Sequence, residues 1–96
     1  MNKIAFDTEL KKIVEIGRKY GAKRIILFGS CLEDMAAARD IDIAVSGIPP
    51  GRFFDFYADV SMNIPDEADI IDLDDLDAHL RRRIETKGKF LYEREF

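Results

Sequence analysis

An α/β fold in the order α-β-α-β-α-β-α-β is what this 96-residue sequence predicts, and three observations carry it. Windows with apolar residues three and four apart alternate with short β-branched runs, so helices and strands interleave along the chain. Glycine or proline punctuates most of the boundaries, at Gly21, Gly29, Gly47, Pro49, Pro50, Pro65 and Gly88. The run Ile25–Phe28 is apolar at every position, the pattern of a strand covered on both faces.

Residues 6 to 20 read as an amphipathic helix. Phe6, Leu10, Ile13, Val14 and Gly17 make its inner stripe, Tyr20 continues it, Asp7 or Thr8 caps its start and Gly21 its end. Residues 24 to 28 form the first strand, Gly29-Ser30 the turn, and 31 to 38 a short helix with Ser30 as N-cap. The second strand is 41 to 45, followed by turn material at Ser46-Gly47 and Pro49-Pro50-Gly51. A second long helix spans 52 to 63, with Phe53, Phe56, Tyr57 and Val60 on one stripe, Phe54 widening it and Pro65 ending it. Residues 68 to 73 are the third strand. Asp74 or Asp75 caps a last helix that turns Leu76, Leu80 and Ile84 inward and ends at Gly88, and Lys89 to Tyr92 add a short edge strand.

Composition narrows the function classes. Hydrophobic residues make up 47%, enough for a core, and the net charge is −4 from 15 basic and 19 acidic residues. That balance argues against direct nucleic-acid binding, which calls for a basic face, and suits an acidic site that takes a cation. So small a domain buries a modest share of its surface, which leaves room for a partner or a homo-oligomer. One cysteine forms no internal disulfide, so a cytoplasmic setting is expected. The opening MNKIAFDTELKK lacks a signal-peptide core, and no apolar run reaches the roughly 18 residues of a membrane span.

The residues fit for chemistry lie between Ile25 and Ile71. Gly29 after a buried strand permits a tight turn and close approach of a phosphate, and the helix start beyond it offers free N–H groups and the Ser30 hydroxyl. A plain turn and cap has the same look. Asp40-Ile41-Asp42 adds two carboxylates at i and i+2, on one face of a strand. Side by side they repel unless a cation compensates them, and magnesium takes oxygen ligands of this kind. The bland alternative is an exposed strand end. Asp69, at the start of the third strand, completes the site if that strand neighbours the second, either as a metal ligand or as a base. Asp72 has the opposite parity. Asp74, Asp75 and Asp77 suit a helix N-terminus. His79 reads as a surface histidine, Cys31 follows the turn and is either buried or near the phosphate site, and Arg81-Arg82-Arg83 reads as a solvated helix face or, alternatively, holds an anionic partner or substrate with one or two of its arginines. Zinc finds no second histidine or cysteine, and no serine–histidine–acid set stands out.

Taken together, Leu27-Phe28-Gly29-Ser30, Asp40-Ile41-Asp42-Ile43 and Ala68-Asp69-Ile70-Ile71 resemble the minimal nucleotidyltransferase (MNT) family of the DNA polymerase beta nucleotidyltransferase superfamily. The tail from Leu80 to Tyr92 is similar as well, so the likeness covers almost the whole chain. The resemblance implies one nucleotidyltransferase-fold domain over 1–96, with a small mixed sheet flanked by helices. It implies ATP or another nucleoside triphosphate held at Gly29 and Ser30, and Mg2+, two ions, on Asp40, Asp42 and Asp69, the catalytic trio. It further implies a HEPN-domain protein as partner, as in HEPN/MNT toxin–antitoxin pairs, with AMP transferred to a hydroxyl of that partner. After Ser30 the run Cys31-Leu32-Glu33-Asp34 replaces the family's usual arginines and glycine. Two alternatives stand beside the transferase: a module that neutralises its partner by contact, and a small-molecule transferase of the aminoglycoside type.

Overall fold

The structure, a computed structural model, describes residues 3–29 and 40–94; of residues 3, 4 and 40 the backbone alone is described. The elements are α1 (Lys3–Lys19), β1 (Arg24–Phe28), β2 (Asp40–Ser46), α2 (Pro50–Asn63), β3 (Glu67–Asp72), α3 (Ala78–Lys87) and β4 (Lys89–Glu93), with a 3-10 turn at Leu73–Asp75. The expected helix over 31–38, with Ser30 and Cys31, lies outside the described residues.

The strands form one mixed sheet in the order β3-β2-β1-β4. β1 pairs antiparallel with β2 and β4, whereas β2 and β3 run parallel. Parallel neighbours need a crossover, and α2 supplies it. Alternation along the strands divides the core in two. Ile25, Leu27, Ile41, Ile43, Val45 and Ile70 face α1 and α2, where they meet Phe6, Leu10, Ile13, Phe56 and Val60. Ile26 and Ala44 face the other way and meet Leu73 and Ile84. The first strand is therefore covered on both faces. Gly17 lets α1 come close to it, since a Cβ there would stand 2.5 Å from Ile25 Cδ1.

Five local expectations need correction. The first helix begins at Lys3, so Asp7 and Thr8 lie inside it and do not cap it. Phe54 does not widen the buried stripe of α2; it is 80% exposed, because Phe56 and Val60 already fill the space over the sheet. The last helix starts later than Asp74 or Asp75. Leu73–Asp75 form the 3-10 turn, with Asp72 accepting from Asp74 N–H, and Asp77 is the true N-cap, accepting from Leu80 N–H at 3.0 Å. That start leaves Leu80 exposed while Ile84 stays buried. Arg81 is not simply solvated either: it reaches Asp74 at 3.5 Å and Glu85, which also pairs with Arg24. Arg82, Arg83 and His79 are exposed, as expected.

One buried acid stands out. Glu9 on α1 is 3% exposed; its Oε1 accepts from Asp66 N–H at 3.3 Å, and its Oε2 has no hydrogen-bond partner among the described residues. Burial first, then the neighbouring Asp66 carboxyl, raises its pKa above the usual carboxylate value. A raised folded-state pKa means that stability is fully present below the unfolded value and is lost as pH rises through the folded one. Glu9→Gln is therefore expected to raise the melting temperature at neutral pH and to leave it unchanged near pH 4. Melting curves of both proteins across that range check it; a lower melting point for the variant at pH 7 would refute it.

Candidate active site

The register of the sheet brings the candidate acids together. β2 and β3 pair Asp42 with Asp69 and Asp40 with Glu67. On the other side of β2, Asp42 is the partner of Phe28, the last residue of β1. Asp42 and Asp69 thus stand side by side where β1 ends and the two parallel strands begin, with Glu67 two positions before Asp69 on β3. Strand alternation gives Asp42 the parity of Ala44, on the sheet face that α3 covers farther along. Asp40 shares that parity two positions earlier.

Gly29 is built against this point. Its φ is +80°, and a Cβ there would overlap Asp42 Oδ2 and lie 3.0 Å from its Cγ. The glycine thus serves the left-handed turn and the close approach of the backbone to the Asp42 carboxylate. Gly29→Ala is expected to cost about 1–2 kcal/mol for the left-handed backbone alone, lowering the melting temperature by roughly 5–15 °C. Displacement of the Asp42 carboxylate comes in addition. Thermal melts check it, and a melting point unchanged within error would contradict this close fit.

Asp69 is exposed and lines a cleft of about 360 Å3 with Tyr57, Ser61, Asp66 and Glu67, at the β3 edge of the sheet. A larger groove of about 440 Å3 lies between α1 and β4, lined by Leu10, Val14 and Leu91. The sheet order puts it at the opposite edge, remote from these acids.

Of the sequence candidates, Asp42, Asp69 and Gly29 come together, and Asp40 stands in register beside them. Ser30 lies outside the described residues. Glu67 was not anticipated, though Glu67-Ala68-Asp69 repeats the acid-apolar-acid spacing of Asp40-Ile41-Asp42. The donors are all carboxylate oxygens, which suit magnesium over softer metals. Among the described residues no three histidine, cysteine or acidic side chains close on one point; the trio includes Asp40, whose side chain is not among them. The residues present therefore fit magnesium by chemistry and by register.

A family model for polymerase beta nucleotidyltransferases matches residues 11–96. No curated protein matches the chain. Solved structures do. One toxin–antitoxin MntA–HepT chain is 22% identical over 92% of this chain and 73% of its own, with a TM-score of 0.69. A toxin–antitoxin structure with AMP-PNP is 24% identical over 90% of this chain and 74% of its own, with a TM-score of 0.73. The structure of a tri-AMPylated Shewanella oneidensis HEPN toxin in complex with MNT antitoxin is 24% identical over 92% of this chain and 72% of its own, with a TM-score of 0.70. At these identities the likeness is one of fold.

Proposed function

The chain belongs to the polymerase beta nucleotidyltransferase family, and from that premise we propose that it transfers AMP from ATP to a hydroxyl of a partner protein, as the antitoxin of a HEPN/MNT pair. The observation that carries this reading is the register of Asp42 against Asp69 with Gly29 pressed on Asp42. Asp40, Asp42 and Asp69 would hold magnesium, and Gly29 with Ser30 the triphosphate. Magnesium bound there supplies charge neutralisation for the triphosphate and for the departing pyrophosphate.

The chain's own residues do the rest. Asp69, exposed in the cleft, takes the proton of the acceptor hydroxyl. The hydroxyl oxygen then bonds to the α-phosphorus, and the bond from that phosphorus to pyrophosphate breaks. A fixed acceptor and nucleotide turn an encounter in solution into an oriented displacement. The neighbours with AMP-PNP and with a tri-AMPylated toxin support the nucleotide and the acceptor class. In this reading residues 1–96 act as one minimal domain, working in the cytoplasm where ATP and magnesium are present. No helix among the described residues is long and apolar enough to cross a membrane.

The test is to incubate the protein with labelled ATP, magnesium and its HEPN partner, beside an Asp40→Asn/Asp42→Asn double variant. Label on a partner hydroxyl with the wild type and none with the variant is the expected result. Suppression of the partner by wild type without any label would replace the transferase with a module that acts by contact.

A further inference from the structure

The C-terminal half of α3 lies over the acid end of the sheet. The helix ends at Lys87, turns at Gly88 and enters β4, whose first residue, Lys89, pairs with Leu27. A Cβ on Gly88 would stand 2.4 Å from Ile26 Cγ2 and 3.1 Å from the Leu27 carbonyl oxygen, so the end of α3 is pressed on β1 just before Gly29. Ile84, one turn earlier, is buried with Ile26 and Ala44, on the face that Asp42 shares by alternation. The last turn of α3 and the Asp42–Asp69 pair thus occupy the same face and the same end of the sheet.

The two flanks of this helix differ. Arg81 and Glu85 are tied down, to Asp74 and to Arg24. Arg83 and Lys87, four positions apart, share the opposite flank. Both are exposed, and neither is in an ion pair among the described residues. Handedness decides where that flank looks. The parallel connection β2–α2–β3 is a crossover of the kind that is almost always right-handed. With α2 on one face and α3 on the other, this sets β2 and β3 on the Arg83 flank of a right-handed helix that runs toward the Gly29 end with Ile84 against the sheet. The two cations therefore border the acids, on the side away from β4.

A nucleoside triphosphate needs positive charge on its tail beyond what magnesium brings. The nine residues that follow Gly29, Ser30 to Ala38, include Glu33 and Asp34 and no basic residue before Arg39. Resting on the transferase reading, we propose that Arg83 and Lys87 hold the β- and γ-phosphates of the nucleoside triphosphate and that the end of α3 is the polyphosphate clamp of the site. The arginine fork takes two phosphate oxygens at once, and the lysine adds a mobile point charge. A lysine in a last helical turn also complements the helix dipole; that role affects stability and leaves the choice between nucleotides untouched.

The test uses the full chain with magnesium and follows, by fluorescence anisotropy, the binding of ATP and AMP that carry a dye on the ribose. Arg83→Gln is expected to weaken ATP about tenfold, the double variant Arg83→Gln/Lys87→Gln to weaken it further, and both to change AMP by less than about twofold. Arg82→Gln removes a neighbouring charge from the outward side of the helix and should change neither nucleotide. All three positions are exposed, so the variants keep the fold. ATP binding by the double variant within about twofold of wild type, an equal loss for AMP, or an equal loss in Arg82→Gln overturns the proposal. Labelled ATP with the partner protein separates this proposal from the reading beneath it. A wild type that labels its partner while the double variant still binds ATP normally overturns the clamp alone. Loss of ATP by the double variant, with no label on the partner even from wild type, upholds the clamp and counts against the transferase. A wild type that binds no ATP overturns both.

Discussion

Asp42→Asn is expected to slow AMP transfer by at least roughly a hundredfold, the loss typical when one preorganised electrostatic element is removed from a transferase site, while the fold stays intact. Asparagine keeps the shape that Gly29 is built against but removes the charge that would hold magnesium. It also removes the like-charge pairing with Asp69, its partner on the parallel strand. Without metal the variant should melt within a few degrees of the wild type, as expected of a near-isosteric change at a half-buried position. Added magnesium should then raise the melting temperature of the wild type and leave the variant where it was, since a ligand that binds only the folded state stabilises it. This readout does not depend on finding the acceptor. A wild-type melting curve indifferent to millimolar magnesium, or a variant that transfers AMP within a few-fold of wild type, would remove Asp42 from the proposed role.

Phe56→Ala should be the most damaging single change to the fold. Phe56 is fully buried and sits in the larger core between α2 and the sheet. Its ring meets Tyr20 edge-on at 5.9 Å and Phe53 at 6.2 Å. Truncating a buried phenylalanine costs about 3–5 kcal/mol, and the two ring pairs place this site toward the upper end. Against the roughly 5–15 kcal/mol of a whole domain, and at about 4–8 °C per kcal/mol for a chain of this size, the melting point should fall by roughly 15–30 °C. Phe56→Leu keeps most of the volume and should fall far less. Because α2 joins β2 to β3, loosening it also loosens the register that pairs Asp42 with Asp69, so activity should fall with stability. A loss under about 1 kcal/mol in denaturant melts would show that the α2 packing is not as drawn.

Reading the chain residue by residue already located most of its elements. Helices and strands announce themselves through periods of about 3.6 and 2, which are local properties of a dozen residues. The Asp40-Ile41-Asp42 spacing likewise belongs to one strand. Where local signals competed, the reading went astray. α2 offers Phe53, Phe54, Phe56 and Tyr57 within five positions, and only packing decides that Phe56 goes under while Phe54 faces out. Asp72, Asp74, Asp75 and Asp77 are each good caps, and the choice of Asp77 follows from the 3-10 turn that intervenes after β3.

The candidate site divides along the same line. Strand parity puts Asp40 and Asp42 on one face whatever the rest of the molecule does, and the apolar run before Gly29 calls for a turn at that glycine. The pairing of Asp42 with Asp69, 27 positions later, depends on β3 docking parallel to β2 in one register out of several. Glu67 enters beside Asp40 through the same register. The close fit of Gly29 on the Asp42 carboxylate depends on β1 lying antiparallel on the other side. Such contacts are chosen by which apolar faces can be buried together, and shifting a strand by one residue would turn its core face to solvent. The elements are thus written into short stretches of this chain, whereas the meeting of three strand ends at one acidic point is a property of the buried sheet.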